Sequence, residues 1–184
     1  MPETGFAAGL KHRQDAGRHC RIMKTFDKIL FVSRDGTCRA PLAAAAARQY
    51  LGTSRIQIGS RGMIVLFPEP FDNRAGELAT KSGIKWTPGY SREIGAEDFS
   101  DKTLVLTMNA SMKKTLYRKF PNAVNVFTLG EFAGETDAEV KDPSGRGEEA
   151  LESCFVQIQV LTTVIGGKAE LQSAGKDEDD SNRK

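Results

Sequence analysis

A short loop between an apolar strand and a helix carries the residues with the clearest capacity for chemistry. The apolar run 29–32 is followed by the loop 33–39, and Pro41 then suits the first turn of a helix. Backbone N–H groups in such a loop converge at the positive end of the helix dipole, where they can cradle an oxyanion such as phosphate. Arg39 at the helix start can hold two phosphate oxygens at once. An ordinary loop with a surface arginine is the simpler alternative, and both interpretations stay open at this point.

Alternating strands and helices are predicted to position this loop. Short apolar runs predict four strands, at 29–32, 56–58, 104–106 and 124–127. Helices are predicted at the alanine-rich 42–47, at 73–82, around Met112, Leu116 and Phe120, and in a last amphipathic stretch that ends at Gly166-Gly167. The pattern predicts a single α/β domain, a four-stranded parallel sheet with helices on both faces. Ligands bind such sheets outside the carboxyl ends of the strands, where the loop lies.

The residues of this loop resemble those of the low-molecular-weight protein tyrosine phosphatases. That family carries V-C-x-G-N-x-C-R-S-P here, and this chain has Val32-Ser33-Arg34-Asp35-Gly36-Thr37-Cys38-Arg39-Ala40-Pro41. The resemblance continues in order to Lys141-Asp142-Pro143, where the family keeps its general acid, and covers roughly 26–165. It implies the Rossmann-like fold of that family.

The resemblance also implies roles for individual residues. In the family an arginine and the loop amides bind the phosphoryl group, a cysteine thiolate attacks it, and an aspartate serves as acid and base. The catalytic positions here are Ser33, Arg39 and Asp142, with serine in the place of the nucleophile. The expected phosphate-binding residues are Arg34, Asp35, Gly36, Thr37, Cys38 and Arg39. No cofactor is implied, and the implied partner is a phosphorylated protein or a small phosphate ester.

Serine at the nucleophile position predicts impaired catalysis. A cysteine thiol has a pKa of about 8.5, which the cradle lowers further, whereas a serine hydroxyl starts several units higher. Serine is normally activated by a base, and the only two histidines, His12 and His19, precede the first strand. Further departures from the family pattern occur at Asp35, Gly36, Ala40 and Asn109. A laboratory exchange would alter one position only, so this set favours natural divergence.

Two functions therefore stay open. The main prediction is a binding protein that keeps an oxyanion site and has lost turnover. The alternative is an active phosphatase for phosphotyrosine or phosphoarginine, which the retention of Arg39 and Asp142 favours. Thr37 matches the arginine-phosphatase branch of the resembled family, although a small residue in a turn is the simpler explanation.

Composition bounds the remaining possibilities. The 184 residues include 26 basic and 24 acidic side chains, a balance that argues against a nucleic-acid partner. No apolar run approaches the roughly 20 residues of a membrane span, and no secretory signal is recognisable, so a cytoplasmic protein without a membrane partner is expected. Cys20, Cys38 and Cys154 are too far apart for a metal site or a disulfide framework. Residues 26–167 are expected to form the domain, between disordered ends at 1–25 and 168–184.

Overall fold

The computed structural model describes the backbone of residues 26–51 and 55–180, and side chains as far as Gly166. The expected N-terminal extension lies outside the described residues. In chain order the elements are β1 (Lys28–Ser33), α1 (Arg39–Leu51), β2 (Gln57–Gly62), α2 (Asn73–Lys81), β3 (Thr103–Thr107), α3 (Ala110–Lys119), β4 (Val126–Thr128), α4 (Leu129–Ala133) and α5 (Glu148–Asp180). A 3-10 turn, Ala96–Asp98, precedes β3.

The four strands form one parallel sheet in the order β2-β1-β3-β4, which confirms the predicted α/β architecture. In the register of the sheet, Ser33 at the end of β1 lies beside Gly62 at the end of β2, and Val32 lies beside Thr107 of β3. The chain direction across the sheet reverses between β1 and β3. This reversal places the loop after β1 at the switch point where open parallel sheets bind their ligands.

Alternate residues of β1 face two different hydrophobic layers. Ile29 and Phe31 belong to the core that holds α1 and α5, whereas Val32 packs with Val105 and with Leu116 of α3 on the other face. Side chains along a strand alternate between faces, so Ser33 lies on the same face as Ile29 and Phe31, towards α1. The alanines of α1 are 0–3% exposed, because their small side chains let this helix lie between the sheet and α5.

The predicted end of the last helix at Gly166-Gly167 is wrong, since α5 continues to Asp180. A Cβ atom at Gly166 would collide with the Cβ of Tyr50 in α1. The glycine therefore serves a close approach between two helices and does not end one. Helical backbone covers 168–180 of the expected tail, and residues 181–184 lie outside the described part of the chain.

A short helix that the sequence pattern did not predict follows β4. The Thr128 hydroxyl accepts from the Glu131 N–H at 3.0 Å, and the Glu131 carboxylate accepts from the Thr128 N–H at 2.8 Å. This reciprocal pair is a capping box, whose T-x-x-E signature is visible in the sequence. Within the described residues, no helix combines the length and the hydropathy needed to cross a bilayer.

A buried carboxylate ties the ends of two strands to the 3-10 turn. Asp98 is 2% exposed and accepts from the Arg61 guanidinium at 2.8 and 2.9 Å and from Lys28 Nζ at 3.2 Å. Burial raises the pKa of Asp98, but the hydrogen bonds and charge of Arg61 outweigh it, so the pKa lies below its usual value. Because Arg61 precedes Gly62, this ion pair fixes the end of β2 beside the loop 33–39.

Replacing Asp98→Asn should therefore destabilise the protein at neutral pH. Losing one partner of a buried ion pair typically costs about 3–5 kcal/mol. The pKa of Asp98 is lower in the folded state, so its stabilising effect is complete above the unfolded value of about 3.9 and is lost as the pH falls through the folded value. Urea unfolding should show a wild-type advantage at neutral pH that narrows below about pH 4. The exposed Asp101 provides the control: equal effects of Asp98→Asn and Asp101→Asn contradict a stabilising network.

Candidate functional site

The loop between β1 and α1 is held by hydrogen bonds to its carbonyl groups. The carbonyl oxygens of Ser33 and Arg34 both accept from the Met63 N–H at 2.9 Å, and the Thr37 carbonyl accepts from the Asp72 N–H at 2.9 Å. In a trans peptide the N–H points away from the C=O of the same unit. The N–H groups that follow these carbonyls therefore point to the opposite side, away from the segments that hold the loop.

These N–H groups make up the candidate oxyanion cradle, the set of loop donors that the sequence analysis expects to bind phosphate. The amides of Arg34, Asp35, Gly36, Cys38 and Arg39 donate to none of the described acceptors. The loop runs directly into α1, a helix of 13 residues whose N-terminal end carries partial positive charge. Free donors and a helix dipole converging on one place favour an anion with several oxygens.

Gly36 gives the loop its turn and its close contact with β2. Its φ of +75° lies in the left-handed region, where glycine carries no steric penalty. A Cβ at Gly36 would lie 2.7 Å from the Gly62 nitrogen, and a Cβ at Gly62 would lie 2.5 Å from the Asp35 carbonyl oxygen. The two backbones can pack this closely only because both positions are glycine.

Asp35 turns its carboxylate onto the loop itself. Its Oδ1 accepts from both the N–H and the hydroxyl of Thr37 at 3.0 Å. Asp35 and Thr37 therefore brace the loop, and Gly36 adds its close contact with Gly62. The same bond uses the Thr37 amide and places a carboxylate beside the cradle, which weakens its attraction for a dianion.

Ser33 lies at the base of the loop with its hydroxyl unused. The residue is 1% exposed, and its Oγ has no hydrogen-bond partner among the described residues. Leaving a buried hydroxyl unsatisfied costs about 1–3 kcal/mol. Its place on the α1 face of the sheet directs this hydroxyl towards the helix N-terminus, where a ligand oxygen can satisfy it.

Arg39 and Asp142 are brought together across 103 residues of sequence. Arg39 is 3% exposed; its Nη2 donates to Asp142 Oδ2 at 2.5 Å, and its Nη1 donates to the Val140 carbonyl at 3.2 Å. Partial burial raises the pKa of Asp142, but hydrogen bonds from Ser144 and the charges of Arg39 and Arg34 outweigh it. The resulting pKa lies below the usual value, so Asp142 is a carboxylate at neutral pH and can accept a proton there.

Neither of the described cysteines is a thiolate at neutral pH. Burial, together with Cys154 and Asp72, raises the pKa of Cys38 to about 12. Burial likewise raises the pKa of Cys154 to about 11. Because the thiolate is the reactive form, both side chains are inert thiols at neutral pH.

A rim of exposed apolar side chains from the loop 64–67, together with the carboxylates of Asp35 and Glu69, adjoins the cradle. A cavity of about 230 Å³ is lined by Asp35, Glu69 and Ser91 together with the loop 64–67. Ile64, Leu66, Phe67 and Tyr90 are between 60% and 84% exposed. A larger cavity of about 550 Å³ lies against Phe71 and Trp86 and contains none of the cradle residues.

The structure adds two residues that sequence reasoning missed and explains a third. Val140 holds Arg39 through its carbonyl, which no side-chain pattern can reveal. Gly62 lies at the end of β2, where the backbone of Asp35 approaches it closely. A glycine in a strand can indicate such a close approach of another backbone segment. Asn109, one of the departures from the resembled family, caps α3 by accepting from the Met112 N–H at 2.9 Å.

Comparisons with known proteins match most of this chain. The family model described as low molecular weight phosphotyrosine protein phosphatase matches residues 28–176. The low molecular weight protein-tyrosine-phosphatase PtpB of Staphylococcus epidermidis is 31% identical over 78% of this chain and 99% of its own length. The protein-arginine-phosphatase of Geobacillus stearothermophilus is 27% identical over 79% of this chain and 97% of its own.

Solved structures show the same fold. The YwlE arginine phosphatase from Geobacillus stearothermophilus superposes with a TM-score of 0.73 at 26% identity, over 80% of this chain and 96% of its own. A cysteine-to-serine mutant of the YwlE arginine phosphatase, described as carrying a phosphorylated active-site serine, has a TM-score of 0.69 at 23% identity, over 78% and 95% of the two chains.

Gly36→Ala should damage the loop more than an equivalent change elsewhere. Gly83 has the same φ of +75°, but a Cβ placed there would have no atom within 4 Å, so Gly83→Ala is the matched control. Both variants carry the left-handed penalty of about 1–2 kcal/mol. In Gly36→Ala, overpacking against Gly62 should lower the free energy of unfolding by a further amount of about 1–3 kcal/mol. Urea unfolding of both variants measures this difference. Equal losses in the two variants contradict the close packing described for Gly36.

Proposed function

Because the chain belongs to the low molecular weight phosphotyrosine protein phosphatase family, we propose that it binds phosphoryl groups in the loop 33–39 and is impaired in hydrolysing them. The observation that carries the proposal is the buried Ser33 hydroxyl, which stands at the nucleophile position without a hydrogen-bond partner among the described residues. Its ligands are phosphorylated proteins or small phosphate esters.

Binding is supported by the donors that surround Ser33. The loop amides are directed to one side, and Arg39 lies at the start of α1 with its guanidinium buried. Arg39 is engaged by Asp142, so a bound phosphoryl group must share or displace that carboxylate. Affinity then depends on the difference between two charge-assisted contacts of the same guanidinium. A serine on this fold also holds a phosphoryl group in the YwlE mutant.

Impairment is supported by the chemistry of the first step. A hydroxyl attacks phosphorus far less readily than a thiolate, and only a base can activate it. Asp142 is ionised at neutral pH, so it does not hold the proton that a phenolate leaving group needs. A protein that binds but turns over slowly follows from these two deficits together.

The alternative is an active phosphatase for phosphotyrosine or phosphoarginine. The retained contact between Arg39 and Asp142 favours it, as do relatives whose names carry these activities. A generic aryl phosphate assayed between about pH 5 and about pH 8 separates the two functions. Clear turnover that disappears in Ser33→Ala supports the alternative and overturns the impairment.

Substitutions of Arg39 and Asp142 should change the affinity for phosphate in opposite directions. Arg39→Lys removes the bidentate fork and should weaken binding of inorganic phosphate by about tenfold or more. Asp142→Asn removes the competing charge and should tighten binding several-fold. Isothermal titration calorimetry at one ionic strength measures the affinity of both variants. Lys113→Met, which removes a cation on α3 paired with Glu131, is the control for general charge effects. Unchanged affinity in Arg39→Lys contradicts a cradle at this loop.

Ser33→Cys should give only weak turnover of an aryl phosphate. The thiol supplies a nucleophile, and α1 with Arg39 lowers its pKa. Asp35 still uses the Thr37 amide, and Ala40 offers no hydroxyl to the thiolate. Adding Asp35→Gly and Ala40→Ser should raise turnover by roughly tenfold, about 1.4 kcal/mol of barrier. Gly36→Asn is left out because its Cβ would meet the Gly62 backbone.

The control for the introduced thiol is Ser111→Cys on the exposed face of α3, which should stay inactive. If Ser33→Cys alone already matches the triple variant, Asp35 and Ala40 do not limit catalysis. The exchange at position 33 would then be the sole lesion of the site.

A further inference from the structure

We propose that two copies of this chain associate through α5, with the outward face of one helix packed across the same face of the second. The contact is a row of residues spaced four apart on the helix: Glu152, Val156, Val160, Val164 and Lys168. This set is called the valine row below. The phosphoryl site does not use this surface, so the dimer is independent of the function proposed above.

The three valines of the row are exposed on a helix whose other face is packed. Val156, Val160 and Val164 are 56%, 58% and 37% exposed, whereas Ile158 and Leu161 lie in the core at 0% and 3%. The outward face of a surface helix is normally polar. Valine is also a weaker helix former than leucine or glutamate, because its β-branched side chain is restricted in a helix. Valine at three successive turns of this face meets neither preference and indicates a surface that a partner covers.

The valines form one continuous surface. Residues four apart on a helix are neighbours, with about 5–6 Å between their Cβ atoms. At about 1.5 Å per residue, the row extends about 12 Å along α5 from Val156 to Val164. The other large apolar side chains that are exposed in the described part of the chain lie elsewhere, at Ile64, Leu66, Phe67, Tyr90 and Tyr117. A contiguous apolar surface marks an interaction site, which a single exposed side chain does not.

The order of residues in the row favours a second copy of the chain as the partner. Val156 and Val164 lie four residues from Val160 on either side, and Glu152 and Lys168 lie eight residues from it. In a two-fold symmetric contact, residue i meets residue j of the second copy, and j meets i. A two-fold axis at Val160 therefore puts valine opposite valine at the three central positions. It also puts position 152 of each copy opposite position 168 of the other.

The residue types at the ends of the row fix the relative direction of the two helices. Antiparallel α5 helices bring a glutamate position opposite a lysine position at both ends, whereas parallel helices in register bring glutamate opposite glutamate. Like charges that face each other across an interface are unfavourable, so the antiparallel arrangement is preferred. Rows of four-residue spacing pack into each other at about −50°, so the helices cross at Val160 and then diverge.

This arrangement leaves the candidate phosphoryl site open in both copies. The helix α5 begins at Glu148, shortly after Asp142, and Val160 lies about 18 Å further along it. Antiparallel helices that cross at Val160 point their first turns in opposite directions. The two loops 33–39 therefore lie at opposite ends of the dimer, and neither takes part in the contact.

Sedimentation velocity of the full-length protein, between about 1 µM and about 500 µM, measures the association. Stable interfaces bury about 800 Å² per partner, and three partly exposed valines supply only a fraction of that area, so we expect a reversible dimer with a micromolar Kd. Val160→Lys puts two like charges at the two-fold axis and should raise the Kd by about tenfold or more. Leu66→Lys replaces an apolar side chain that is 84% exposed beside the cradle, and this matched control should dimerise like the wild type.

Two results of this experiment overturn the interface. One is a wild-type protein that stays monomeric at every concentration. The other is dimerisation that survives in Val160→Lys, whether or not it is lost in Leu66→Lys.

Charge reversal provides a test that does not depend on Val160. Glu152→Lys and Lys168→Glu should each weaken dimerisation by about fivefold or more, because each variant brings like charges together at both ends of the row. The double variant restores opposite charges and should return the Kd to within about threefold of the wild-type value. Single variants that dimerise like the wild type, or a double variant that shows no rescue, contradict the antiparallel contact.

Cysteine cross-linking locates the two-fold axis. In a Cys20→Ser background, Val160→Cys should form a disulfide between two copies under mild oxidation, because the axis brings this position against itself. Val156→Cys alone should not cross-link, whereas an equal mixture of Val156→Cys and Val164→Cys should. Cross-linking of Val156→Cys to itself as efficiently as Val160→Cys overturns the proposed register.

Discussion

The site depends on how the peptide planes of one loop are oriented. Met63 and Asp72 donate to carbonyls of the loop 33–39, and these bonds fix the carbonyls on one side. Because each trans peptide is planar, the N–H groups of the same peptide units point to the opposite side of the loop. The loop can sit within reach of Met63 only because Gly36 and Gly62 let two backbones touch. Arg61 and Asp98 hold β2 in place for that contact.

Charge within the site is balanced between two tendencies. The amides, Arg39 and the helix dipole attract an anion, whereas Asp35 and Asp142 repel one. Asp142 neutralises Arg39, which is almost completely buried and whose charge would otherwise stand alone. In the proposed binding, a phosphoryl group would therefore replace an existing partner of the guanidinium and would not meet a bare cation.

The parallel sheet and its helices could be predicted because apolar runs of strand length alternate with helical patterns. The position of the loop followed from the rule that ligands bind at the carboxyl ends of such strands. The direction of the Asp35 carboxylate could not be predicted, because it depends on a hydrogen bond to Thr37 within a turn of unknown shape. Gly166 was misinterpreted because a glycine that ends a helix and a glycine that admits Tyr50 look alike in a sequence. The part played by Val140 was hidden because a backbone carbonyl carries no residue type.

The separation between Arg39 and its partners bears on how the protein is made. Val140 and Asp142 follow Arg39 by 101 and 103 residues. During synthesis, β1, the loop 33–39 and α1 emerge before residues 140–142. The Arg39 guanidinium therefore cannot form these two contacts until the later residues are available. A nascent chain that stops before position 140 leaves Arg39 without these two partners. Arg39 can therefore have both partners only in a chain that has been synthesised as far as position 142.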